Sequence, residues 1–146
     1  MQGNDFYLKV AHALSACQLV ELELKLYIAE ALRIAKDSVG TKFPFKLSGE
    51  DYEDSSLEKL IGVFKKRSDN AALVARLNKF KTERNFLSHK GITSCLDYEG
   101  ELFYSRAEDY YQRLGKIQDE SAELCKLVHS EYQGLLIYLF EENPLP

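Results

Sequence analysis

The chain has 146 residues, 45% of them hydrophobic and 29% charged, which fits one folded core and excludes wholesale disorder. A formal net charge of −4 argues against tight, non-specific nucleic-acid binding by the surface as a whole. With 3 prolines and 8 glycines it turns too seldom for a sandwich or barrel, and its 3 scattered cysteines encode neither a disulfide framework nor a zinc site.

The opening Met1-Gln2-Gly3-Asn4-Asp5 lacks the basic-then-apolar order of a secretory signal. Apolar stretches such as Leu135 to Phe140 fall far short of the roughly 20 residues a membrane helix needs, so a cytoplasmic chain with no membrane partner is expected. From Asp5 to about Val39 the spacing predicts one long helix, capped by Asn4 or Asp5 and stopped by Gly40. At about 100° per residue, Val10, Leu14, Cys17, Leu24, Ile28, Ala31, Leu32 and Ala35 share its apolar stripe. Thr41 to Ser55, with Pro44, Gly49 and an acidic cluster, reads as a loop. Ser55 or Ser56 then caps a shorter helix carrying Leu57, Leu60, Ile61 and Phe64.

A third helix is expected from Asp69, with Leu73, Leu77, Phe80 and Leu87 as its apolar line and Gly91 as its stop. Ile92 to Tyr104 alternates as a short β-hairpin or an extended loop would. A last long helix runs from about Ser105 to Glu141. Tyr110 or Tyr111, Leu114, Ile117, Leu124, Cys125, Val128, Tyr132, Leu135 and Leu139 face inward on it. Four amphipathic helices of this kind bury their stripes only against each other. The expected fold is therefore all-α, a four-helix bundle with long first and last helices in one domain spanning 1–146.

Two charges interrupt the apolar stripes. Glu21 falls among Leu14, Cys17, Leu24 and Ile28, and Arg84 falls in the line Leu77, Phe80, Arg84, Leu87. A bare charge facing a core costs several kcal/mol, so each needs a partner or an interface. A structural ion pair between the two helices is the simpler account, and the alternative is that Glu21 orients a functional Arg84. Around Arg84 lie Arg76, Lys79, Lys81 and Lys90 against the single acid Glu83, a local balance of 5 − 1 = +4. The bland reading of this run is a solvated helix face. The functional reading is a phosphate-attracting surface with the titratable His89 inside it.

The segment Glu83-Arg84-Asn85-Phe86-Leu87-Ser88-His89-Lys90-Gly91 resembles the signature of the HEPN superfamily: an Arg, usually followed by a polar residue, then a His after a gap of four to six residues. Its place at the end of the third helix of a four-helix domain is similar to that family too. The resemblance implies a metal-independent endoribonuclease without a cofactor, working on RNA as a homodimer in a toxin–antitoxin, defence or RNA-processing setting. An antitoxin or a nucleotidyltransferase-type protein would be its partner. It further implies that His89 is general base or acid, that Arg84 holds the phosphate, and that Asn85 positions phosphate or imidazole. Lys79, Lys81 and Lys90 would bind RNA phosphates, with Glu21 added as a supporting residue from the stripe argument. A second reading keeps the motif in a non-catalytic binding or dimerisation module. In a straight helix residues five apart point about 140° away from one another. Either the helix ends before His89 or the site combines residues from two chains.

Overall fold

The computed structural model describes residues 2–142, with side chains as far as Ile137. Helix α1 spans Gly3–Val39 and starts two residues earlier than the sequence predicts. The reason is local: the Asp5 carboxylate accepts the Gln2 amide at 3.0 Å, so Asp5 closes the first turn from inside the helix. At the other end Gly40 takes φ 61° and returns its amide to the Lys36 carbonyl at 3.1 Å. The buried face of α1 is wider than the expected stripe. Phe6, Ala13, Val20 and Tyr27 join Val10, Cys17, Leu24, Ile28 and Leu32 because helices cover α1 from two sides.

The loop after α1 is partly ordered into a 3-10 turn over Gly49–Tyr52 that packs onto α1. A Cβ at Gly49 would stand 2.6 Å from the Ala29 Cβ, so only glycine permits that approach. Helix α2, Leu57–Lys65, starts where the sequence predicts, with the Ser56 hydroxyl accepting the Lys59 amide at 3.3 Å. Its Phe64 meets Tyr27 edge-on at 4.8 Å, and the Tyr27 hydroxyl donates to the Arg67 carbonyl at 3.1 Å. Helix α3, Ala71–Phe86, is capped by Asn70 rather than Asp69: the Asn70 side-chain oxygen accepts the Leu73 amide at 3.1 Å.

Beyond Phe86 the chain differs from the expected stop. It widens into a π-helical turn over Leu87–Gly91 and then tightens into a 3-10 turn over Thr93–Cys95. The β-hairpin expected between the third and fourth helices is not formed among the described residues. One antiparallel bridge, Leu96 to Leu102, is all that remains of it. Buried Cys95 anchors one side, α4 begins two residues after Leu102, and the Asp97 carboxylate takes the Glu99 and Glu101 amides at 2.9 Å, leaving no length for a ladder.

Helix α4 spans Tyr104–Glu142 and buries Ala107, Tyr110, Leu114, Ile117, Ser121, Leu124 and Val128. Cys125, Tyr132 and Leu135 pack at its margin, whereas the expected inward Leu139 lies outside the described side chains. Phe6 meets Tyr110, Lys9 meets Tyr111 and Glu23 meets His129, so the two long helices run in the same direction. Glu83 pairs with Arg113, Arg76 with Glu120 and Asn70 with Glu131, so α3 runs against them. The result is an all-α helical bundle around one apolar cluster drawn from all four helices. No described helix is long and apolar enough to cross a membrane.

Candidate functional site

Arg84 sits on the core-facing line of α3, and that line points it at α1. Its Nη2 stands 3.2 Å from Glu21 Oε1, with the two side chains 31% and 15% exposed. The contact is an ion pair without an aimed hydrogen bond, since Glu21 Oε1 is buried with no directed donor among the described residues. Arg84 thus faces a carboxylate through Coulomb attraction while its fork of N–H donors is not used up.

Other polar side chains of α1 and α4 are buried near this pair. Cys17, one turn before Glu21, is buried beside Ser121 of α4, and burial pushes its thiol up to about 11. At neutral pH it is a protonated, inert thiol and not a nucleophile. Gln118, three residues before Ser121, also buries its Oε1 without a partner among the described residues.

The π-turn is the second part of the site. Gly91 is buried at its end against Tyr110, where a Cβ would lie 2.7 Å from the phenolic oxygen. Burial raises the Tyr110 hydroxyl to about 12, and its oxygen has no partner among the described residues. Phe86 packs edge-on to the same ring at 5.6 Å. With Gly91 seated there, His89 and Lys90 are exposed on the outer side of the turn, and Asn85 is exposed just before it. A turn closed by i→i+5 bonds winds less per residue than an α-helix. The turn therefore carries His89 through a smaller angle than a straight α-helix would. Among the described residues no hydrogen bond or ion pair joins His89 to Arg84.

The basic run does not form one surface. Arg76 is held by Glu120 through two bonds of 3.0 and 2.8 Å, Lys81 lies 3.5 Å from Glu58, and Arg84 faces Glu21. Acids from α4, α2 and α1 answer three of the five cations, and a tally along α3 alone could not include them. Lys79 and Lys90 are exposed. Lys79 lines a groove of about 540 Å³ between α3 and α4 over Phe80 and Ile117, whereas Lys81 faces α2. Lys79 and Lys81 thus lie on different sides of α3, and Lys90 lies beyond it in the π-turn.

Sequence reasoning missed the strongest link between α3 and α4. Arg113 grips Glu83 with bonds of 2.7 and 2.9 Å, holding the Glu83 carboxyl below the usual carboxylate range. The Arg113 guanidinium also stacks over Phe86 at 4.3 Å. No sequence signal marks it beyond a basic residue next to the apolar line of α4. His129 likewise belongs to a structural contact, its Nδ1 3.2 Å from Glu23. Among the described residues no three His, Cys, Asp or Glu side chains gather as a metal site. Set against protein-family models, curated proteins and solved structures, the chain matches none.

Proposed function

We propose that this chain is a HEPN-like, metal-independent endoribonuclease that acts on RNA as a homodimer, in a toxin–antitoxin, defence or RNA-processing setting. The observation that carries the reading is an arginine with unused donors, tethered by Glu21, one widened turn before an exposed histidine. One His89 removes the proton from an RNA 2′-hydroxyl, whose oxygen attacks the adjacent phosphorus. The second copy's imidazolium protonates the departing 5′-oxygen. Arg84 binds the phosphate oxygens and stabilises their added charge, and Asn85 positions phosphate or imidazole. The products are a 2′,3′-cyclic phosphate and a 5′-hydroxyl. Glu21 is a positioning residue in this scheme, acting through Arg84.

One observation favours the second reading, a binding or dimerisation module: three of the five cations near the motif already have carboxylate partners. Cleavage of labelled RNA separates the two. The ribonuclease reading expects cleavage in EDTA, cyclic-phosphate ends, and a loss of about 10²-fold or more in His89→Ala. Arg84→Lys keeps the charge facing Glu21 but loses the fork, and a similar loss is expected there. Circular dichroism establishes that both variants are folded. RNA that binds the parent and His89→Ala equally without being cut assigns the chain to the binding reading.

A further inference from the structure

Helices α3 and α4 spell one pattern twice. Arg76-Leu77-Asn78-Lys79-Phe80-Lys81-Thr82-Glu83 and Arg113-Leu114-Gly115-Lys116-Ile117-Gln118-Asp119-Glu120 both begin Arg-Leu, continue with Lys and an apolar residue at the fourth and fifth places, and end on Glu. Because the helices run antiparallel, the two stretches meet head to tail. Arg76 bonds Glu120 at 3.0 and 2.8 Å, and Arg113 bonds Glu83 at 2.7 and 2.9 Å, a nearly two-fold arrangement of two clasps. Leu77 and Leu114 turn into the core. The shared Arg, Lys, apolar and Glu places of both stretches line the groove of about 540 Å³. On a lone helix each lysine has a glutamate four residues on as its natural partner, Lys79 with Glu83 and Lys116 with Glu120. Here the facing arginine takes both oxygens of each glutamate. Lys79 and Lys116 are left exposed on opposite walls, midway between the clasps, with no ion-pair partner among the described residues. The clasps stand two helical turns apart, about 10 Å, with Phe80 and Ile117 as the floor between them.

We propose that this groove binds a small phosphate monoester carried on an aromatic ring system, the class of a free nucleoside monophosphate. A phosphate monoester holds close to two negative charges at neutral pH and so answers two lysines, whereas a carboxylate or a phosphodiester answers one. Each clasp is a planar guanidinium–carboxylate unit, and such planes stack on rings, as Arg113 does over Phe86 at 4.3 Å. The phosphate lies between Lys79 and Lys116, and the ring lies on the apolar floor that the two clasps bracket. The volume falls in the usual range of small-molecule sites. The clasps already hold the two walls together, so little ordering opposes binding. This groove faces α4, whereas Arg84 faces α1, so the proposal stands apart from the ribonuclease reading.

Titration calorimetry with adenosine 5′-monophosphate at low salt tests it, and saturable binding with a Kd below about 1 mM is expected. Lys79→Gln and Lys116→Gln are each expected to weaken binding about tenfold, while Lys46→Gln, in the loop after α1, leaves it unchanged. Cyclic adenosine monophosphate keeps the ring with one charge, adenosine keeps it with none, and inorganic phosphate keeps the charge without the ring. Each is expected to bind at least about tenfold more weakly than the monoester. No saturable binding, equal binding of adenosine and its monophosphate, or Lys79→Gln and Lys116→Gln variants that bind like the parent overturns the proposal. Binding lost in Arg84→Lys but kept in both lysine variants also overturns it, by placing the phosphate at the motif. A short 5′-phosphorylated RNA that binds through the same two lysines far more tightly than the free nucleotide overturns the small-ligand assignment. Cleavage of RNA is scored separately, so failure of one idea leaves the other measurable.

Discussion

Two neighbouring residues of α3 make ion pairs of opposite character. Glu83 turns toward α4 and is gripped by Arg113 through two short, aimed bonds, with both side chains at least a third exposed. Arg84 turns toward α1 and meets Glu21 in a more enclosed place, without an aimed bond. The first pair satisfies its partners and is a fastener. The second leaves a carboxylate oxygen and several guanidinium donors incompletely used, which is costly for stability and useful for seizing an anion. Geometry separates a satisfied link from an incompletely satisfied one here, since charge, helix and sequence neighbourhood are shared.

The sharpest way to break that comparison is to remove one partner at a time from the enclosed pair. Arg84→Met strands Glu21, whose Oε1 is buried, and is expected to cost about 3 kcal/mol in urea unfolding. Glu21→Gln leaves Arg84, which reaches water, and is expected to cost only about 1 kcal/mol. Equal costs would show that the pair is as symmetrically balanced as Glu83 with Arg113. Next in size is Gly91→Ala, which forces a methyl into the space of the Tyr110 hydroxyl. A loss of about 1–3 kcal/mol is expected, together with a shift of the His89 ring resonances in NMR. Unperturbed His89 signals in the folded variant would mean that the turn's shape does not depend on that seat.

The smallest effect belongs to the fastener. Glu83→Gln is expected to cost about 0.5–1 kcal/mol at pH 7, because the pair is exposed enough to be screened. Arg113 lowers the folded-state pKa of Glu83, so the stabilisation is present above the ordinary carboxylate pKa of about 4.3 and is lost as pH falls through the lower folded value. The variant's stability should therefore converge on the parent's in acid. A difference that stays constant down to about pH 2 would trace the cost to packing instead.

Helix number, order and approximate ends were legible because apolar periodicity and capping chemistry are local. Ser56 and Gly40 act as their residue types require. The pairing of Glu21 with Arg84 was legible for a different reason: two charges on core-facing lines had to answer each other or face an opening. What could not be read depends on contacts far apart in sequence. The basic tally around Arg84 dissolved because Glu120, Glu58 and Glu21 approach from other helices. The stripe calculation for α1 located the inner line but passed over Leu8, Leu19, Leu22 and Leu26, since leucines on an outer face carry the same signal as leucines in a core. The π-turn was invisible too, because what sets it in the fold is the seat of Gly91 against Tyr110, nineteen positions later.

That turn ties the spelling of the motif to the winding of the backbone. A π-turn is an α-helix holding one surplus residue. With three residues between the arginine and the histidine, an ordinary α-helix would already stack the two side chains on one face, one turn apart. With four between them, as here, an unbroken α-helix would turn the imidazole away, and the wider turn takes up the extra residue. Gap length and helix type are then a single variable. Deleting Ser88 and letting the helix close would be the reciprocal edit, shortening the gap to three residues while erasing the bulge.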